Sequence, residues 1–152
     1  MSYVEVVRRG RVLEVTLNKP KVNAIDRAMS QDMGRAFSLL RDDPDLWCAI
    51  LTGSGEKIFS AGWDLKALNK GEMALNNWWE EDYGDGGFAG LTENWTLNKP
   101  VICALNGMAI GGGFEIAMSC GFPDPMYFSK AFHRRYGLPP SRLRGMSKSM
   151  DV

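Results

Sequence analysis

Three consecutive glycines, Gly111-Gly112-Gly113, stand between two apolar segments, Val101–Leu105 and Phe114–Met118. No side chain fills that bend. The backbone can take positive φ there, and another segment or a ligand can approach it closely. The arrangement reads as strand, tight turn and helix, the helix running from about Gly113 to Cys120. A second stretch has the same form. Phe59-Ser60-Ala61-Gly62-Trp63-Asp64-Leu65-Lys66 follows the apolar run Trp47–Thr52 and the turn Gly53-Ser54-Gly55. Two strand-to-helix turns in one chain confine it to a fold that mixes strands with helices.

The rest of the body fits that class. Tyr3–Val7 and Val12–Leu17 are rich in β-branched residues and flank Arg8-Arg9-Gly10, which predicts a hairpin. Asp26 is placed to cap a helix reaching about Leu40, with Met29, Met33, Phe37 and Leu40 on one face, and Asp42-Asp43-Pro44-Asp45 ends it. Trp47–Thr52 and Val101–Leu105 are short and nearly all apolar, the pattern of strands buried on both faces. Residues 66–99 carry Gly84, Gly86, Gly87 and Gly90 and read as irregular.

Both glycine turns have chemical potential. A helix that begins at such a turn points unpaired N–H groups and its positive dipole end outward. That suits an anion, or an oxygen that becomes anionic in a transition state. Tight packing of helix on strand explains the same glycines without any ligand. A phosphate loop is excluded because no Lys-Ser/Thr follows, and a dinucleotide fingerprint because no βα unit follows. Glu115 lies three residues after Gly112 in the apolar segment Phe114-Glu115-Ile116-Ala117-Met118. Its carboxylate can serve as a helix-terminal anion or as an acid/base group.

Charge narrows the function classes. The 18 Lys+Arg residues equal the 18 Asp+Glu residues, so there is no basic excess of the kind that marks a nucleic-acid binder. No apolar run is long enough for a membrane span, and the N-terminus lacks the pattern of a secretory signal. The cysteines Cys48, Cys103 and Cys120 are odd in number and sit among apolar or small residues, as reduced thiols of a cytoplasmic protein do. One histidine, His133, offers no metal-ligand spacing and no Ser-His-Asp arrangement. Segment 121–152 changes character. Lys130, Arg134, Arg135, Arg142, Arg144 and Lys148 face only Asp124 and Asp151, four of the 7 prolines fall here, and no apolar period persists. It reads as a divergent, basic, loosely structured tail on a body of residues 1–120.

Five stretches, in order, resemble the enoyl-CoA hydratase/isomerase (crotonase) superfamily: Asn18–Asp26, Ile50–Lys57, Phe59–Lys66, Lys99–Gly107 and Gly111–Ala117. With Gly87-Phe88-Ala89-Gly90-Leu91-Thr92, the second glycine turn is most similar to the carnitinyl-CoA dehydratase branch. The resemblance covers about residues 1–120. It implies an α/β (α+β) fold, a crotonase-like spiral of ββα units with two sheets flanked by helices. It also implies an acyl-CoA thioester as substrate, coenzyme A entering as part of that thioester and no cofactor being bound. By matching position, the N–H groups of Ala61 and Gly112 would hold the thioester oxygen, and Glu115 would be one of two acid/base glutamates for water addition or removal at the 2,3-double bond. Asn23, Ala24, Asp64, Leu65 and Lys66 fall where the family meets CoA, although Lys66 and Lys19 also suit a plain surface. A trimethylammonium-bearing acyl group would favour an aromatic cage, for which Trp63, Trp78, Trp79 and Trp95 are available; Trp78-Trp79 equally suits packing.

The resemblance stops where the tail begins. The family's second glutamate follows in a Pro-Glu-Ala-Lys-Leu-Gly-type motif, and here no glutamate occurs after Glu115. The helices that close the acyl pocket and build the family's homotrimers or hexamers have no counterpart either. The expectation is therefore a truncated crotonase-like body: a hydratase-type lyase by resemblance, or an inactive fragment that keeps weak thioester binding.

Overall fold

Asp26 caps the first helix as its position predicts: its side chain accepts the Met29 N–H at 2.8 Å, and α1 runs Arg27–Asp42. In the computed structural model, residues 2–72 and 80–121 are described, together with 133, 134 and 137. Trp78-Trp79 and most of segment 121–152 lie outside the described residues. The chain divides into two units, Met1–Gly121 and Phe122–Val152. In the second, the Gly137 N–H donates to the His133 carbonyl at 2.8 Å.

The first unit is three successive ββα units. Strands β1 (Val4–Arg9) and β2 (Val12–Leu17) form the expected antiparallel hairpin, with Val6 opposite Val15 and Gly10 at φ +60° in the turn. Helix α1 then carries the chain to β3 (Cys48–Gly53), which pairs parallel to β2, with Leu13 opposite Ala49 and Val15 opposite Leu51. Strand β4 (Ile58–Ser60) leads to α2 (Leu65–Asn69). Strand β5 (Val101–Ala104) joins the far edge of β3, and β6 (Met108–Ala109) leads to α3 (Gly112–Ser119). One sheet has the order β1-β2-β3-β5; β4 and β6 pair with each other as a second, parallel sheet.

The core lies between α1 and one face of the larger sheet. Met29, Met33, Phe37 and Leu40 are buried on the helix, and Leu13, Val15, Leu17, Ala49 and Leu51 on the sheet. Each of these side chains larger than alanine contributes about 1.5–3 kcal/mol by leaving water. The Lys99 ammonium ties β5 to this layer by donating to the Leu40 and Asp43 carbonyls at the C-terminal end of α1, where a cation is favoured by the helix dipole.

Two strand expectations need correction. β3 alternates buried and half-buried residues instead of being covered on both faces. In β5 only Cys103 is buried and Ile102 is 53% exposed. Trp47 lies outside β3 and is 61% exposed, with the Arg11 guanidinium 4.2 Å over its ring. The physical reason is one-sided layering: among the described residues, α1 covers one face of the sheet and no helix covers the other.

Candidate functional site

Because β4 and β6 lie side by side and parallel, the turns that leave them open at the same end. Their backbones touch. A Cβ on Gly62, whose φ is +81°, would stand 2.4 Å from the Gly112 nitrogen, and one on Gly113 would stand 2.3 Å from the Ser60 carbonyl oxygen. Only glycine permits that approach.

An open cavity of about 460 Å³ lies over the two turns. Of the residues singled out in the sequence, it is lined by Lys19, Ala24, Ala61, Trp63, Asp64, Leu65, Lys66 and Gly112. Asn23 and Glu115 are not among its walls. Asn23 is 3% exposed at φ +48° and works inside the protein: its side chain accepts the Lys19 N–H at 3.0 Å and donates to the Phe59 carbonyl at 3.0 Å. It is a brace between the 19–26 loop and β4, in place of the expected CoA contact. Glu115 is exposed, because α3 turns Gly112, Gly113, Ile116 and Ala117 inward.

Hydrogen-bond partners decide which N–H groups can meet a ligand. The Ala61 N–H donates to the Val22 carbonyl at 2.9 Å, so the expected donor is already engaged. The Gly62 N–H goes to Ser60 Oγ at 3.0 Å, and the Asp64 N–H to the Ile25 carbonyl at 2.9 Å. The Gly62 carbonyl accepts the Ile25 N–H at 2.7 Å. A trans peptide places its C=O and N–H on opposite sides. The Trp63 N–H therefore points away from Ile25, and no described residue accepts it. At the other turn, the N–H groups of Gly113, Phe114 and Glu115 are bonded, while that of Gly112 has no acceptor among the described residues. The N–H groups of Gly111 and Leu65, also at the cavity, have no acceptor among the described residues either; Trp63 and Gly112 are the two open donors that lie on the touching backbones. Ala61 was the wrong member of its turn because the parallel bridge between Ile25 and Trp63 leaves no trace in local sequence. The sole hint was that Trp63 follows the turn glycine as the chain enters a capped helix.

Asp64 Oδ1 caps α2 by accepting the N–H groups of Lys66 at 2.9 Å and Ala67 at 3.2 Å. Its other oxygen pairs with Lys19 Nζ at 2.8 Å, and the same ammonium pairs with Asp26, the cap of α1. Burial works to lower the Lys19 pKa, but the hydrogen bonds to Asp26 and Asp64 outweigh it and the net shift is upward. Burial likewise pushes the Asp64 carboxyl up, and Lys19 with the two backbone N–H groups brings it below the usual carboxylate value. Lys19 is thus an internal tie between two helix caps. Lys21 and Lys66 are the exposed lysines at the cavity, and neither has an ion pair among the described residues.

An aromatic wall stands behind the Gly112 turn. Trp63 stacks on Phe88 at 4.2 Å, and Tyr83 meets Trp63 edge-on at 5.5 Å. The Tyr83 hydroxyl is buried without a hydrogen-bond partner among the described residues, and burial pushes its pKa up. Trp95 is 87% exposed and does not join them. The wall is therefore built by Trp63, Phe88 and Tyr83 rather than by a set of tryptophans. No group of three or more metal-ligating side chains exists among the described residues.

Comparison with known proteins matches this geometry to one group. A profile described as enoyl-CoA hydratase/isomerase matches residues 8–139. The chain belongs to that family. The match runs past residue 120, where the motif-bearing stretches end. A carnitinyl-CoA dehydratase from Salmonella arizonae is 51% identical over 140 residues, covering 92% of this chain and 50% of that protein. Its counterpart from Escherichia coli K12 is 55% identical over 119 residues, covering 78% and 44%. Among solved structures, carnitinyl-CoA hydratase from Mycobacterium avium superposes with a TM-score of 0.69 at 36% identity, over 80% of this chain and 45% of that one. Enoyl-CoA hydratase from Mycobacterium tuberculosis H37Rv gives 0.64 at 37% identity, over 78% and 44%. The fold is thus crotonase-like, as the ββα repeat indicates, and the chain spans about half the length of the relatives it matches.

Proposed function

We propose that the chain is the thioester-binding part of an enoyl-CoA hydratase-type lyase, one that adds or removes water at a 2-enoyl-CoA thioester. The observation that carries this reading is the pair of unengaged N–H groups at Trp63 and Gly112, on touching backbones over one cavity. Water addition bonds oxygen to C3 and moves the double-bond electrons toward the thioester oxygen, and a proton then reaches C2. Two fixed donors oppose that developing charge, and removing one such donor typically costs about 2.7–4 kcal/mol of barrier lowering. Lys21 and Lys66, exposed at the cavity, are the cations we assign to the phosphates of the CoA moiety. The identity to carnitinyl-CoA dehydratases supports crotonobetainyl-CoA and carnitinyl-CoA as the substrate pair. The three free cysteines, with the Cys103 thiol pushed up by its hydrogen bond with Cys120 and by burial, suit a cytoplasmic setting.

A second reading concerns turnover. Moving protons at both C2 and C3 needs two acid/base groups. Glu115 is the one the resemblance supplies; it faces solvent, and no glutamate follows it in the sequence. For the chain as it stands we propose binding without appreciable hydration. Titration calorimetry with crotonyl-CoA and free CoA, beside a hydration assay, tests both statements. Crotonyl-CoA should bind about 2–10-fold more tightly than CoA, the worth of hydrogen bonds to its carbonyl, with no turnover. Equal affinities would remove the thioester site, and turnover near ordinary enzyme values of about 1–10³ s⁻¹ would remove the second reading.

A further inference from the structure

Ser60 is fully buried at the end of β4 and is not a wall of the cavity. Its hydroxyl has one proton to give and lone pairs to receive. Both capacities are used. Ser60 Oγ donates to the Asn23 carbonyl at 2.7 Å and accepts the Gly62 N–H at 3.0 Å. The hydroxyl therefore replaces a backbone acceptor where β4 has ended and Gly62 has turned to φ +81°. It fixes the peptide plane between Ala61 and Gly62, and the next plane is held by the Gly62 carbonyl on the Ile25 N–H at 2.7 Å. That second plane carries the Trp63 N–H. Asn23, the far end of the relay, is held to β4 by its side chain on the Phe59 carbonyl.

We infer that Ser60 is a positioning residue for the thioester site, acting through Gly62 to aim the Trp63 N–H. The inference rests on the thioester reading given under Proposed function. Without Oγ, the buried Gly62 N–H and Asn23 carbonyl both lose their partner, and the Gly62 plane is free to rotate toward another acceptor. The next plane then tilts with it. The effect is expected first at the thioester oxygen, since Ser60 itself is not a wall of the cavity and acts on it through the Gly62 peptide.

The test compares two probes on the whole chain by titration calorimetry: butyryl-CoA, and S-butyl-CoA, a thioether with CH2 in place of the carbonyl. Wild type should prefer the thioester about tenfold, the worth of hydrogen bonds to a neutral carbonyl. Ser60→Ala should bind the thioether as wild type does and bring the preference within about twofold. Ser60→Cys, close to serine in size but a weak donor and acceptor, should fall between and serves if the alanine variant does not fold. A full tenfold preference in either variant would overturn the inference and leave the site reading intact. If neither probe binds wild type, the site reading fails and the inference fails with it.

Discussion

The Ala61 N–H donates to the Val22 carbonyl at 2.9 Å, and this bond moves the candidate oxygen-binding donor from Ala61 to Trp63. The 19–26 loop is what makes the difference. It lies along the turn as a short added strand, engages alternate peptide groups, and leaves the Trp63 N–H facing the other way.

That loop has its own stability signature. Asn23→Ala should lower the unfolding free energy by about 2–4 kcal/mol, from buried groups left unpaired and an alanine held at positive φ. Asn23→Gly relieves the backbone and should cost less than the alanine variant. Urea denaturation orders the two. A larger loss for glycine would contradict the backbone strain, and a loss below about 1 kcal/mol in both variants would contradict the brace.

The Gly112 turn should not tolerate even one methyl group. A Cβ there would stand 2.7 Å from a Phe88 ring carbon and 3.0 Å from one of Trp63. Gly112→Ala should cost about 1–3 kcal/mol, the usual penalty of overpacking, while keeping the N–H. Denaturation midpoints within error of wild type would show that the aromatic wall is looser than the geometry indicates.

The tie between Lys19 and the two caps carries a pH dependence of definite sign. The folded Asp64 carboxyl is depressed, so its contribution is fully present above the ordinary value of about 3.9 and is lost as pH falls through the lowered one. Lys19 is raised, so its contribution is present below about 10.4 and is lost as pH rises through the higher folded value. Asp64→Asn keeps a capping oxygen but not the charge. It should be less stable than wild type by up to about 1 kcal/mol at pH 7, and the gap should shrink below pH 4. A gap unchanged from pH 7 to pH 3 would mean the ion pair contributes nothing.

Exposed apolar surface predicts self-association. Val7, Ile50 and Ile102 share one face of the larger sheet through their pairings with Glu14, and β5 is an edge strand. Ile102 is 53% and Val7 44% exposed. Such a face and edge invite pairing with another chain. Light scattering should give a mass above the 16.9 kDa of one chain, lowered by Ile102→Lys. A monomer for wild type would show that this surface is tolerated in water.

Local features were legible in the sequence and non-local ones were not. The hairpin around Gly10, the Asp26 cap and apolar face of α1, and the two glycine turns each follow from neighbours within a few residues. Periodicity alone could not show that β5 lacks cover, since an apolar run looks the same at an edge and in a core. Nor could it show that Glu115 faces solvent, which depends on what packs against α3. The Ala61–Trp63 exchange and the Lys19 tie depend on contacts between segments some 40 residues apart.

The central claim is that the N–H groups of Trp63 and Gly112 hold a thioester oxygen. Infrared difference spectroscopy of crotonyl-CoA labelled with carbon-13 at its carbonyl reads that contact directly. Hydrogen bonds to the oxygen weaken the C=O bond, so the bound carbonyl stretch should lie below its position for the same thioester in an aprotic solvent and below that in water. A bound stretch at the aprotic-solvent position would show a carbonyl without donors and contradict the account.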